Sequence, residues 1–310
     1  MGREVSAKKA PIFVFAVIGE AHVEALSLAL HFLKFFSRTE ILVVQGRSTI
    51  RAPHRQVIEV EPPSSFSDHQ ASLWLKTKLP VILAQHGFGG RQFCYLDSYV
   101  IAVSPAVDDI FAHQQGPVAF AADHVKIDVF SHWAVRCGCK TFVCPHLREA
   151  LLCDFGVDVR DPDWTMWNGG VFVADTRSGD FFAHWHRLTL ATFTNPYWHT
   201  RDQATLAATS WSLGLQALTP LPRRFNHVLD CHWGLDDRER ATARLDQLAV
   251  WPEFNLASEV AAGRVDFLHL INHGAGKRGW RHWDEVAQLL PDPPPERVAE
   301  PLAEPLKEIA

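Results

Sequence analysis

No stretch of the 310 residues approaches the ~20 consecutive apolar residues that a membrane-spanning helix needs, so no transmembrane segment is expected. Positive charge is not in excess either. Thirty Lys and Arg against 35 Asp and Glu leave a formal charge of −5, and nucleic acid is not an expected partner. No G-x-G-x-x-G follows the first apolar run, where "VIGEAH" holds a single glycine, and this argues against a nicotinamide-dependent enzyme. No internal repeat is visible. What remains is ordinary for a globular chain, with 47% hydrophobic and 21% charged residues, and it is long enough to bury a large core.

Six cysteines stand at 94, 137, 139, 144, 153 and 231. Cys94 lies inside an apolar run, where a reduced thiol packs as a small hydrophobe. "CGCKTFVCPH" offers Cys137, Cys139, Cys144 and His146 to a zinc ion. However, the C-x-C-x4-C-x-H spacing matches none of the common structural zinc spacings, and the β-branched residues between suggest a short strand. Reduced structural thiols are therefore the expectation, and with them a cytoplasmic location.

"KKAPIFVFAVIGE" has the outline of a signal peptide, but Glu20 and His22 interrupt it and the pattern that follows is helical. Residues 11–18, "PIFVFAVI", are instead read as a first buried strand. Val23, Leu26, Leu30 and Leu33 then share one face of a helix over 21–36. "EILVVQG" and "QVIEVEPP" follow as strands, and "SDHQASLWLKTKLPVILAQHG" as a helix capped by Ser67 or Asp68. Further along, "GGVFVADT" reads as a strand opened by a glycine pair, and "SGDFFAHWHRLTLATF" and "RDQATLAATSWSLG" as helices. Alternation of this kind predicts an α/β fold around a mainly parallel sheet, with the ligand at the carboxyl ends of its strands.

Residues 92–105, "QFCYLDSYVIAVSP", read as one more apolar strand that Pro105 ends, and it contains a lone carboxylate, Asp97, near its end. A charge is rarely left inside a buried strand unless something pairs with it or binds it.

In their order and spacing, "FAVIGEAHVEALSLALHFLK", "LKTKLPVIL…FCYLDSYVIAV", "WNGGVFVADT", "RDQATLAA", "LPRRFN" and "HLINHGAGKRGW" resemble nucleotide-sugar-dependent glycosyltransferases of the GT-A fold. Within that fold the nearest likeness is to the retaining family eight, which includes glycogenin and bacterial lipopolysaccharide galactosyltransferases. The resemblance runs from about residue 11 to 283. It implies a Rossmann-like α/β domain over 11–285, with a nucleotide-binding half (11–110) and a sugar and acceptor half (111–285). Residues 1–10 would be an N-terminal extension, and the proline-rich acidic tail, 291–310, is expected to be mobile.

The same resemblance implies a set of site residues. The family's strand ends in Asp-x-Asp, whose carboxylates hold Mn²⁺ or Mg²⁺ against the nucleotide diphosphate. A departing diphosphate needs such a hard cation. Here the motif is Asp97-Ser98-Tyr99, and Tyr99 departs from it because a neutral phenol is a poor ligand for a hard cation. Either the remaining ligands suffice, or the metal is lost and a Lys or Arg cation serves instead. The literal Asp161-Pro162-Asp163 follows no apolar strand and reads as a turn.

The last metal ligand would be His273, slightly preferred, or His269, with Gly276 and Lys277 on the diphosphate. Lys76 and Lys78 would reach the diphosphate or donor from the preceding helix, with solvated helix lysines as the equal alternative. Val17, Ile18 and Gly19 would line the base. Asn168 would present its amide to the sugar at the sheet edge, with Gly169 and Gly170 allowing close approach, although Asn-Gly-Gly taken alone is more often a turn. Asp202 would hold sugar hydroxyls and Gln203 would lie near the anomeric carbon, while Asp202 alone is as well read as a helix N-cap.

The expected function is transfer of a sugar from a nucleotide-diphosphate donor, a UDP-sugar first, to a hydroxyl acceptor with retention. The alternative is a catalytically degenerate nucleotide-sugar-binding or assembly protein.

Overall fold

The computed structural model describes residues 9–139, 141, 143–199, 202–228, 256–270, 288–289 and 300–301. β1 (Ile12–Ile18) is apolar throughout because it has neighbours on both edges and helices on both faces. At Gly19, φ is +81°, a conformation that lets the strand turn at once into α1 (Glu20–Phe36). β2 (Glu40–Gly46), β3 (Ile50–Arg51) and β4 (Val57–Glu59) follow, then α2 (Asp68–Gln85) and β5 (Phe93–Leu96). Ser67 caps α2 in a reciprocal box with Gln70, which decides between Ser67 and Asp68.

After β6 (Val100–Ala102) come β7 (Val118–Lys126), α3 (Ile127–Ala134), α4 (His146–Phe155), β8 (Thr165–Ala174), α5 (Gly179–Thr192) and α6 (Asp202–Ser212). β9 (His227–Val228), α7 (Leu256–Ala261), β10 (Phe267–His269) and β11 (Glu300–Pro301) complete the described elements.

The main sheet has six strands in the order β4-β2-β1-β5-β8-β7. The pairs β4–β2, β2–β1 and β1–β5 are parallel, and β5–β8 and β8–β7 are antiparallel. Alternate residues of β1 feed two apolar clusters, one per face. Phe13 and Phe15 pack with Leu26 and Phe32 of α1, while Val14 packs with Leu75 and Leu79 of α2 in the cluster that also takes Trp185 of α5. A smaller sheet, β6-β10-β9, lies beside it, and β11 pairs with β3. No helix among the described residues is long and apolar enough to cross a membrane.

Two expectations are corrected. Residues 92–105 do not form one strand: the chain breaks at Asp97–Tyr99 into β5 and β6, which belong to different sheets. The glycine pair neither opens a strand nor makes a turn, since Gly169 and Gly170 sit in mid-β8. β8 is also interior, between β5 and β7, so Asn168 is not at a sheet edge. Phe120 pairs with Phe172 but its neighbour Ala121 pairs with Asn168, so β8 bulges over residues 169–171 and turns that backbone away from the regular ladder.

His227 on β9 is 6% exposed, and burial, with Arg223 adding to it, pushes its pKa down to about 4. The unfolded chain therefore binds the extra proton first. Stability is complete above about pH 6.5 and falls as pH drops toward 4, by about 3 kcal/mol for this group. Urea unfolding at pH 7.5 and pH 5 should show the loss, and His227→Gln should flatten it.

Candidate functional site

The carboxyl ends of β1 and β5 open into a cavity of about 480 Å³. Asp97 is at its floor, one residue beyond β5. Its backbone is fixed on both sides: its N–H donates to Gly170 O and its carbonyl accepts from Val100 N, both at 2.9 Å. Its Oδ1 accepts from the Tyr95 hydroxyl at 2.5 Å and lies 3.1 Å from Lys76 Nζ. Burial pushes the Asp97 pKa up, but Lys76, His269 and the Tyr95 hydroxyl together outweigh that and hold it below the usual carboxylate value.

Lys76 is the centre of the charge pattern. It comes from the middle of α2, is 8% exposed, and donates to Asp202 Oδ2 at 2.9 Å while contacting Asp97. Burial opposes its charge, yet Asp202 and Asp97 more than compensate and raise its pKa. Lys78 is corrected by helix phase. Two residues along a helix is more than half a turn, so Lys78 leaves the cavity and lays its ammonium over the Trp74 ring, 4.9 Å from the centroid. Asp202 is the first residue of α6, and its carboxylate is turned to Lys76 rather than reserved for a cap.

Asp123, on β7, was not singled out by the sequence, and it is the second deeply buried carboxylate of the cavity, 1% exposed. Its Oδ2 accepts from Asn168 Nδ2 at 2.8 Å and from Gln203 Nε2. Its Oδ1 accepts from His124 N at 2.6 Å and Val125 N at 3.2 Å, and lies 2.5 Å from His124 Nδ1. Burial pushes its pKa up, but His124 and these hydrogen bonds bring it down to about 2. The signal was present in the sequence: "VAFAADHV" holds a lone carboxylate in an apolar strand, as the Asp97 segment does. Asn168 also lines the cavity. Its amide donates to Asp123 and accepts from Gly170 N at 2.9 Å, so it braces the site from within β8.

Val17 and Ile18 line the cavity with Ser98, whose hydroxyl is 3.2 Å from His22 Nδ1, whereas Gly19 makes the turn behind them. Gly169 and Gly170 also line it. Of the two histidine candidates, His269 ends β10 inside the site. His273, Gly276 and Lys277 lie outside the described residues.

His269 Nδ1 donates to Asn226 Oδ1 at 2.8 Å, which leaves the Nε2 lone pair aimed into the site. Nε2 is buried without a hydrogen-bond partner and lies 3.8 Å from Asp97 Oδ2. Burial lowers the imidazole pKa to about 4, so it is neutral at pH 7. A carboxylate oxygen and an imidazole lone pair 3.8 Å apart fit a divalent cation held by one carboxylate and one imidazole, with the remaining positions left to phosphate oxygens and water. Tyr99 does not join them. Burial keeps its hydroxyl protonated, and its ring stacks on His269 at 5.4 Å between centroids.

Solved structures share this architecture. A bifunctional glycosyltransferase, WbbM, superposes with a TM-score of 0.57 over 94% of this chain at 14% identity. The chain spans 51% of the length of WbbM. Mouse xyloside xylosyltransferase 1 matches over 85% of this chain and 99% of its own, with a TM-score of 0.51 and 12% identity. The galactosyltransferase LgtC, solved with donor and acceptor sugar analogues, covers 91% of this chain and 97% of its own at 0.50 and 14%. The fold is that of the GT-A glycosyltransferases. No protein-family model matches the sequence, and no curated protein matches it by sequence. In this GT-A sheet the cavity sits outside the carboxyl ends of the parallel strands, where open α/β sheets take their ligands.

Proposed function

We propose that this protein transfers a sugar from a nucleoside diphosphate, a UDP-sugar first, to a hydroxyl acceptor with retention at the anomeric carbon. The observation that carries this reading is the meeting of Lys76, Asp97, Asp202 and His269 in one cavity, from three distant parts of the chain. A fixed cation beside a carboxylate and a neutral imidazole suits a leaving group that carries several negative charges.

A divalent cation on Asp97 Oδ2 and His269 Nε2 would neutralise the diphosphate as the glycosidic bond breaks. Lys76 supplies a second positive charge that needs no cofactor, and its contacts with Asp97 and Asp202 keep it in place before substrate arrives. Asp202, at the mouth of α6, has the acceptor capacity to hold sugar hydroxyls. Asp123 is a weak base at a pKa of about 2, so it does not suit deprotonation of an acceptor, the step an inverting enzyme needs. Its ionised, fully hydrogen-bonded carboxylate suits stabilisation of positive charge developing at the sugar. That division of roles supports the reading of retention, with Gln203 held beside Asp123.

Calorimetric titration of UDP with and without Mn²⁺, on the wild type and on Asp97→Ala, tests the donor site. Binding that Mn²⁺ strengthens at least tenfold, and that Asp97→Ala reduces to the metal-free level, is the expected result. Metal-strengthened binding without turnover of any UDP-sugar would point to a binding protein. No binding of UDP or of other nucleoside diphosphates would overturn the proposal.

A further inference from the structure

The connection between α3 and α4 brings together four side chains that the spacing argument had set aside. Cys137 Sγ lies 3.8 Å from Cys144 Sγ, and Cys139 Sγ lies 3.3 Å from His146 Nδ1. The four ligand atoms all lie within 4.8 Å of one another. In tetrahedral zinc coordination, metal–ligand bonds of about 2.3 Å to sulfur and about 2.0 Å to nitrogen place S···S edges near ~3.8 Å and S···N edges near ~3.6 Å. We propose that Cys137, Cys139, Cys144 and His146 form a structural zinc site, remote in chemistry from the donor cavity.

Three features of the surroundings support a built site. The expected strand between the cysteines is absent among the described residues, so the segment owes its path to other contacts. Those contacts hold Cys144 firmly: its N–H donates to Asp128 O at 3.1 Å, and its carbonyl accepts from Ser131 Oγ at 2.7 Å. Ser131 Oγ in turn accepts from Leu147 N at 3.1 Å, and Arg148 grips Asp128 with two bonds of 2.6 and 3.0 Å, so the end that carries Cys144 and His146 is tied to α3.

The outer partners also suit a metal. His146 Nε2, on the far side of its ring, is 4.0 Å from Glu149 Oε2, beyond hydrogen-bond distance but on the side where metal-bound histidines take an outer carboxylate. His132 places Nδ1 3.5 Å from Cys137 Sγ, within hydrogen-bond reach of that sulfur. Three thiolates and one neutral imidazole, in a closed set of four, select zinc over oxygen-seeking cations.

Such a clip has a structural consequence. α3 carries Phe130 and Trp133, both of which line the donor cavity. A metal that fixes the α3–α4 connection therefore fixes that aromatic wall.

The test is elemental analysis of protein purified from zinc-supplemented medium, followed by cobalt replacement. About one zinc per chain is expected. Cobalt-loaded protein should show thiolate-to-metal charge transfer. Cys139→Ser, at a half-buried position, should lose both signals and melt at a lower temperature, while Cys153→Ser, at an exposed cysteine outside the cluster, should lose neither. UDP titration of Cys139→Ser, read beside the wild type, separates loss of the metal from loss of the fold. Metal-free protein with a Cys137–Cys144 disulfide, or metal-free protein with all thiols reduced, would overturn the proposal.

Discussion

Lys76→Ala should lower the melting temperature by up to roughly 10 °C and abolish UDP binding, because it leaves two buried carboxylates facing each other. Lys76 Nζ is within 3.1 Å of Asp97 and 2.9 Å of Asp202, and the three side chains are at most 16% exposed. Removing one member of a buried ionic group costs about 3–5 kcal/mol, since the charges left behind are neither hydrated nor paired. At about 2 °C per kcal/mol or a little less for a chain this long, the shift is large enough to read by calorimetry. Adding Asp202→Asn to Lys76→Ala should restore part of the stability but not the binding. That split separates the structural from the ligand-binding part of the lysine's role. Equal melting temperatures for Lys76→Ala and the wild type would show that the triad is hydrated and weak.

Gly170→Ala should be nearly as damaging, for a steric reason. A Cβ on Gly170 would sit 2.1 Å from His269 Cε1, 2.8 Å from its Nε2 and 2.9 Å from Asp97 Oδ2. None of those atoms can give way easily: His269 is held by Asn226 and stacked on Tyr99, and Asp97 is held through its backbone and Oδ1. Overpacking of this kind costs about 1–3 kcal/mol, and here the displaced atoms are the two that face each other across the proposed cation site. Any Mn²⁺ enhancement of UDP binding should therefore disappear while metal-free binding through Lys76 persists. Gly169→Ala is the milder comparison, because its tightest Cβ contact would be Asp202 Oδ2, at 3.2 Å. If Gly170→Ala binds UDP and Mn²⁺ as the wild type does, His269 is not where the metal is held.

Much of the main sheet was legible because its strands declare themselves locally. β1 and β2 are continuous apolar runs, and α1 repeats its apolar residues every three or four positions. The short strands were harder. β6, β9 and β10 have two or three residues each and are stabilised by pairing with segments distant in the chain, β10 with β6 across more than a hundred residues, which no local pattern encodes. The bulge in β8 was illegible for the same reason, since it exists only against the register of β7.

By itself, the sequence determined the alternation of strands and helices, the likeness to GT-A glycosyltransferases, and the fact that Asp97 must have a partner. These follow from side-chain periodicity and from the cost of an unpaired buried charge, both of which act over short stretches. Only the tertiary structure decided who the partners are. It chose Lys76 over Lys78 through the rotation of α2, added Asp123, turned Asn168 inward, and collected Cys137, Cys139, Cys144 and His146 around one point. Each of those outcomes depends on how elements distant in sequence pack against one another, and a side chain's direction relative to a distant neighbour is set by that packing alone.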